Sequence, residues 1–204
     1  MDDARVKKSA LSAVVLLLAI LAGFSVGNAQ GSPNHSTRGS GKIFRGDGGK
    51  TLAPFRVSGA STLFWANNGG IFQIFPSGGT LHGSVNSQGS KGWTFLPTGT
   101  YALQINAIGS WTLNIVPGAV RPTRMSGGLV GYAGNGGMEL PPFRIPRSEQ
   151  LYWQAQAGIF QVFSAGLSGA NVNSQATKGS TYVSAGMQQL QVNTTGPWRI
   201  AWKP

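Results

Sequence analysis

From Lys42 onward the chain alternates between apolar and polar positions. Phe55 and Val57, Phe72 and Ile74, Leu103 and Ile105, and Trp111, Leu113 and Ile115 stand two apart, the period at which successive side chains fall on one face of a strand. The pattern predicts strands near residues 42–46, 53–57, 61–66, 70–76, 81–86, 92–96, 100–106 and 110–116. Turn-forming clusters separate them, notably Asn68-Gly69-Gly70, Ser77-Gly78-Gly79 and Gly89-Ser90. No segment beyond residue 30 carries a helical period. The expected fold class is all-β, with seven or eight short strands per stretch of about 80 residues, as in an antiparallel sandwich or jelly roll.

The same pattern is written twice. LFWANNGGIFQIF, from Leu63 to Phe75, returns as LYWQAQAGIFQVF from Leu151 to Phe163, 88 residues on. Upstream, Phe44-x-Gly46-x-Gly48-Gly49 is answered by Tyr132-x-Gly134-x-Gly136-Gly137, and Pro54-Phe55-Arg56-Val57 by Pro142-Phe143-Arg144-Ile145. Downstream the offset drops to 87, where Val85-Asn86-Ser87-Gln88 matches Val172-Asn173-Ser174-Gln175 and Leu103-Gln104-Ile105-Asn106 matches Leu190-Gln191-Val192-Asn193. A period this long suits two small domains rather than a solenoid. Two tandem homologous β-sandwich domains are expected, at 42–117 and 129–204, joined by a Pro- and Gly-containing linker at 118–128. Pro146 replaces Ser58 of the first copy and predicts an edge or bend there.

The first 41 residues do not belong to this pattern. Asp2 and Asp3 are followed by Arg5, Lys7 and Lys8, then by the apolar run Ala13 to Phe24 and the small residues Gly27-Asn28-Ala29. These three regions predict a secretory signal peptide over 1–29. The alternative is an uncleaved membrane anchor, since Leu11 to Val26 with its flanks approaches the ~17-residue minimum for a span. On either reading everything after Gln30 is exported, and the polar stretch 30–41 is a flexible tether. No Cys follows the apolar run, which excludes a lipid-anchored lipoprotein.

Composition sharpens the picture. The 204 residues include 31 Gly and 11 Pro but only 10% charged residues, a balance rich in turns and poor in helix formers. A domain of this size buries only about 60% of its unfolded surface. With no Cys to brace it, stability must come from the aromatic core and from one domain leaning on the other.

Catalytic chemistry has few groups to work with. Beyond the signal the carboxylates are Asp47, Glu139 and Glu149, and the histidines are His35 and His82. No paired carboxylates, metal-ligand cluster or calcium loop emerges from these. Thus no enzyme activity, catalytic residue, cofactor or metal is expected; an enzyme would need His82 and an acid to meet in one pocket. Gly46-x-Gly48-Gly49 precedes no helix, so it predicts a bulge or tight turn rather than a phosphate loop.

The aromatics divide into two kinds. Trp65 and Trp153, Trp111 and Trp198, Phe55 and Phe143, and Phe72 and Phe160 recur in both copies and predict core. Trp93 and Trp202 stand where the other copy has Ser180 and Ile115, which makes each a candidate platform for a sugar ring or a local packing residue. Ile71, Phe75, Ile159 and Phe163 fall on outer strand faces, expected to be buried between the domains or against a partner. From Gln30 onward thirteen Lys and Arg face three acids. Arg56 and Arg144, and Lys91 and Lys178, recur in both copies, and Arg56 between Phe55 and Val57 points to solvent. Such charge suits an anionic polymer or lipid surface, with no motif for specific nucleic-acid recognition.

Taken together, P-F-x-V/I, L-x-W, G-x-F-x-I/V, K-G, L-x-I/V-N and G-x-W-x-L/I make each copy resemble the small exported β-sandwich domains of Gram-positive bacteria. The resemblance spans roughly 42–116 and 130–203 and implies a sandwich fold without an assigned activity. Members often hold acidic residues and a Cys pair near the Trp strand; this chain has neither. The expected function is a non-catalytic, exported cell-envelope binding or adhesion module. Its candidate ligand-binding residues are Arg56, Lys91, Trp93, Arg144 and Lys178, and its partner is an anionic envelope polymer, a lipid surface or a protein. The alternatives are a carbohydrate-binding module built on an exposed Trp and a structural surface subunit that assembles through its apolar outer faces.

Overall fold

The computed structural model of the protein describes residues 41–77, 82–156, 158–164 and 170–204. The expected signal or anchor at 1–29, and the tether through residue 40 with His35, lie outside the described residues. The first stretch of strands comprises β1 (Lys42–Asp47), β2 (Lys50–Thr51), β3 (Phe55–Val57), β4 (Ser61–Asn67), β5 (Phe72–Ser77), β6 (Val85–Ser87), β7 (Lys91–Leu96), β8 (Gly99–Ala107) and β9 (Ser110–Pro117). The second comprises β10 (Thr123–Arg124), β11 (Val130–Asn135), β12 (Met138–Glu139), β13 (Phe143–Ile145), β14 (Glu149–Ala155), β15 (Phe160–Ser164), β16 (Val172–Ser174), β17 (Lys178–Val183), β18 (Gly186–Gln188), β19 (Leu190–Asn193) and β20 (Pro197–Trp202). A 3-10 turn at Ser126–Gly128 is the one helical element among the described residues. The protein is all-β.

The strands form layers whose orders correspond across the two stretches. In the first, β1-β9-β4-β7 faces β2-β8-β5-β6, with β3 also paired to β8. In the second, β11-β20-β14-β17, with β10 outside β11, faces β12-β19-β15-β16, and β13 pairs β18. All these pairings are antiparallel. The strand expected over 53–57 is only β3, starting after Pro54, which lacks the N–H that a ladder requires, and β2 at Lys50–Thr51 is a short element outside the expected strands. Of the strand expected at 81–86, residue 81 lies outside the described residues, and from His82 on only Val85 and Asn86 are in a strand, β6. Along β8, buried Tyr101, Leu103, Ile105 and Ala107 alternate with outward Thr100, Gln104 and Asn106, so the period-two text decides which side chains turn inward.

Two apolar clusters fill the space between facing layers. Trp65 on β4 stacks on Phe72 of β5 with ring centroids 4.9 Å apart, and Trp153 on Phe160 at 5.0 Å. Trp65, Trp153, Trp111, Trp198, Phe55, Phe143, Phe72 and Phe160, the recurring aromatics expected in the core, are all buried. Each indole lies across a glycine on the neighbouring strand: Trp111 over Gly46, Trp198 over Gly134, Trp65 over Gly92 and Trp153 over Gly179. Gly46 is thus a slot for a ring inside β1 and not a turn residue. Gly48, at φ 63°, supplies the turn.

The clusters do not follow the sequence boundary. Trp93 and Phe64, on β7 and β4 of the first stretch, pack into the core of the second. Trp93 is 7% exposed, its ring lies 6.1 Å from Tyr132, and its Nε1–H donates to the Ala133 carbonyl. Beside it, Gly137 N–H donates to the Asn86 carbonyl at 2.6 Å, joining the edges of β6 and β12, and Gln88 N–H donates to the Thr195 carbonyl.

Candidate functional site

The five residues singled out in the sequence occupy three different places. Lys91 and Lys178 project from the outer face of the layers holding β4 and β14. There they end cross-strand rows: Arg45, Thr112, Ala66 and Lys91 in one, Ala133, Arg199, Gln154 and Lys178 in the other. Arg56 pairs with Thr100, and Arg144 with Met187, which places both on the opposite layers, exposed between buried neighbours. Trp93 is buried, so its ring is unavailable to a sugar. Trp202, 3% exposed and stacked on Phe143 at 4.4 Å, is equally a core residue. In both cases a core claims the ring, because an indole buried between sheets contributes more than one left in water.

The outer faces expected to be buried between the domains or against a partner are not buried between the two stretches. Ile71, Phe75, Ile159 and Phe163 are 44%, 47%, 56% and 42% exposed, because the two stretches meet through β6, β7, β11 and β12 and not through these faces. Beside each Phe runs a ladder of amides. Asn106 Nδ2 donates to Gln73 Oε1 at 2.7 Å, and Gln73 Nε2 donates to Asn86 Oδ1 at 3.2 Å. The second stretch repeats this, with Asn193 Nδ2 donating to Gln161 Oε1 at 2.7 Å and Gln161 Nε2 to Asn173 Oδ1 at 3.3 Å. The sequence carried the signal in FQIF and FQVF, and in LQIN and LQVN, where polar residues at outward positions recur in both copies.

At the seam the structure brings His82 and Glu139 together, the meeting that a catalytic reading requires. His82 Nδ1 lies 2.7 and 2.8 Å from the two carboxylate oxygens. Gln189 Nε2 also donates to Oε1 at 2.7 Å, while the Glu139 backbone N–H donates to Thr94 Oγ1. The carboxylate is buried and bonded to both stretches at once. Nearby, burial and then the charge of Glu139 push the Tyr101 hydroxyl up to about 12, so it stays protonated and donates to the Pro97 carbonyl at 2.7 Å. Among the described residues no group of three or more His, Cys, Asp or Glu could hold a metal ion.

Glu149 is less well satisfied. Its Oε1 is shut off from water without a hydrogen-bond partner. Desolvation pushes the carboxyl above its usual range, against the opposing pull of Arg147 and of the Lys203 backbone and charge. A raised carboxyl in the folded state contributes stability only below its unfolded value and loses it as pH rises through the folded one. Glu149→Gln should therefore melt higher than the parent at pH 7–8, by less than about 1 kcal/mol because the group is only half-buried, and no higher near pH 3. Thermal melts at the two pH values check this; an equal shift at both would assign the gain to packing.

No family model matches the chain, and no curated protein matches it. Among solved structures, AerE from Microcystis aeruginosa aligns at TM-score 0.27 and 6% identity over 78% of this chain and 83% of its own. A cupin 2 conserved barrel domain protein from Leptotrichia buccalis aligns at TM-score 0.27 and 12% identity, over 78% and 79%. A conserved protein of unknown function from Pseudomonas aeruginosa PAO1 aligns at TM-score 0.25 and 14% identity, over 79% and 80%. Likenesses this distant carry no argument about function.

Proposed function

We propose that this chain is an exported, non-catalytic binding module of the cell envelope, two β-sandwich domains in tandem behind a signal peptide or membrane anchor, which contacts an anionic polymer. The observation that carries the reading is uncompensated charge. Of twelve Lys and Arg among the described residues, eleven are exposed and Arg199 is half-buried, and none is ion-paired with a carboxylate. Their fields add at long range and concentrate polyanions at the surface even though Lys91 and Lys178 lie on different layers from Arg56 and Arg144. The His82–Glu139 pair is read as a clamp between the domains, since the carboxylate already bonds His82 and Gln189, on either side of the seam.

The reading predicts binding to phosphatidylglycerol vesicles and to polygalacturonate that weakens roughly tenfold or more as salt rises to about 0.5 M. Cosedimentation and calorimetry at stepped ionic strength measure it. Binding that ignores salt, or no binding to either polyanion, removes it. Mass spectrometry of the native N-terminus tests the route: a start near residue 30 indicates cleavage, a start at Met1 an anchor.

A further inference from the structure

We infer that the two amide-and-phenylalanine faces are paired subsites for an acidic polysaccharide chain. This rests on the anionic-polymer reading and narrows it to one ligand class. Each subsite has the chemistry a uronate sugar calls for. The ladders hold their amides in fixed orientations and do not use the acceptors Asn106 Oδ1 and Asn193 Oδ1 or the donors Asn86 Nδ2 and Asn173 Nδ2. A pyranose presents hydroxyls that both donate and accept along an edge, so a row of alternating amide groups matches it without ordering new side chains. One step along β5 and β15 stand Phe75 and Phe163, paired with Gln104 and Gln191. Neither ring contacts another among the described residues. Each offers an apolar face beside the amides for the C–H side of the sugar, the mix of apolar surface and a few placed polar groups typical of small-ligand sites.

Charge supplies the rest. Arg56 and Arg144 project from the same side as the ladders, since Thr100 alternates with buried Tyr101 as Gln104 does with Leu103 and Ile105. Their guanidinium forks suit carboxylates. The subsites also adjoin. Asn86 bridges Gly137, and Gly137 lies beside Asn193, so the row runs Asn106, Gln73, Asn86, Gly137, Asn193, Gln161 and Asn173. At ~4.8 Å between strands that is roughly 30 Å, long enough for one chain to engage both subsites and gain from the second as an intramolecular event.

The test compares the full exported chain with Phe75→Ala, Phe163→Ala, the double variant and Gln73→Ala/Gln161→Ala, by calorimetry against polygalacturonate, dextran and phosphatidylglycerol vesicles. The expected result is a tenfold or greater loss of polygalacturonate affinity in each single Phe variant and loss of measurable binding in the double. Vesicle binding should be unchanged throughout, and dextran should bind at least tenfold more weakly. The Phe residues are exposed, so their variants keep the fold; circular dichroism checks the Gln pair. A double Phe variant that binds polygalacturonate like the parent overturns the inference, as does equal binding of dextran. A parent that binds vesicles but not polygalacturonate overturns it while sparing the charge reading, whereas failure on both ligands removes both.

Discussion

Trp93→Ala is expected to lower the free energy of unfolding by about 3–5 kcal/mol, the range for removing a buried Trp without collapse of the space it leaves. The ring belongs to the core of the second stretch although its backbone belongs to β7 of the first. It lies against Tyr132 and its Nε1–H bonds the Ala133 carbonyl at 3.3 Å, so the deletion opens a cavity at the seam and orphans an acceptor. Denaturant unfolding followed by far-UV circular dichroism reads the loss. The two stretches should also uncouple, giving a second transition where the parent shows one. Were the ring a solvent-facing platform, the change would stay within about 0.5 kcal/mol, and that result would return Trp93 to the surface.

Gly92→Ala should cost about 1–3 kcal/mol, as overfilling of a packed core does, and Gly179→Ala the same in the second stretch. A methyl at either position would sit 2.5 Å from Cζ2 of the indole that crosses it, Trp65 or Trp153. Neither indole can retreat, since each is also stacked on a Phe of the facing layer. The mechanism is specific enough to check by a double-mutant cycle. Combined with Trp65→Leu, the Gly92→Ala penalty should largely vanish, because the atom it collides with is gone. Gly59→Ala, with nothing near its added carbon, serves as the neutral control.

These two sites show where the text was legible. The K-G pairs Lys91-Gly92 and Lys178-Gly179 were visible as a repeat, yet their purpose was not. A glycine needed under a ring and a glycine needed for a turn look alike until the partner strand is placed beside them. The seam was hidden for a related reason. Trp93 faces Ser180 in the other copy, Glu139 faces Thr51, and Met138 faces Lys50. Residues without a counterpart resemble idiosyncrasies of one copy. In a head-to-tail contact they are what is expected, since one unit offers its β6–β7 side and the other its β11–β12 edge. The departures between copies held the interface; the agreements held the core and the amide ladders.

Read alone, the order of residues settled the strand period, the inward aromatics and the duplication of the pattern, because side-chain alternation is a local property of extended backbone. Which core a ring joins is not local. Trp93 alternates outward from its own sheet and is nevertheless buried, because another part of the chain comes to cover it. Phe75 alternates outward and stays exposed, because no described segment covers it. Packing between distant segments made that choice, and with it separated a framework residue from a surface able to meet a ligand.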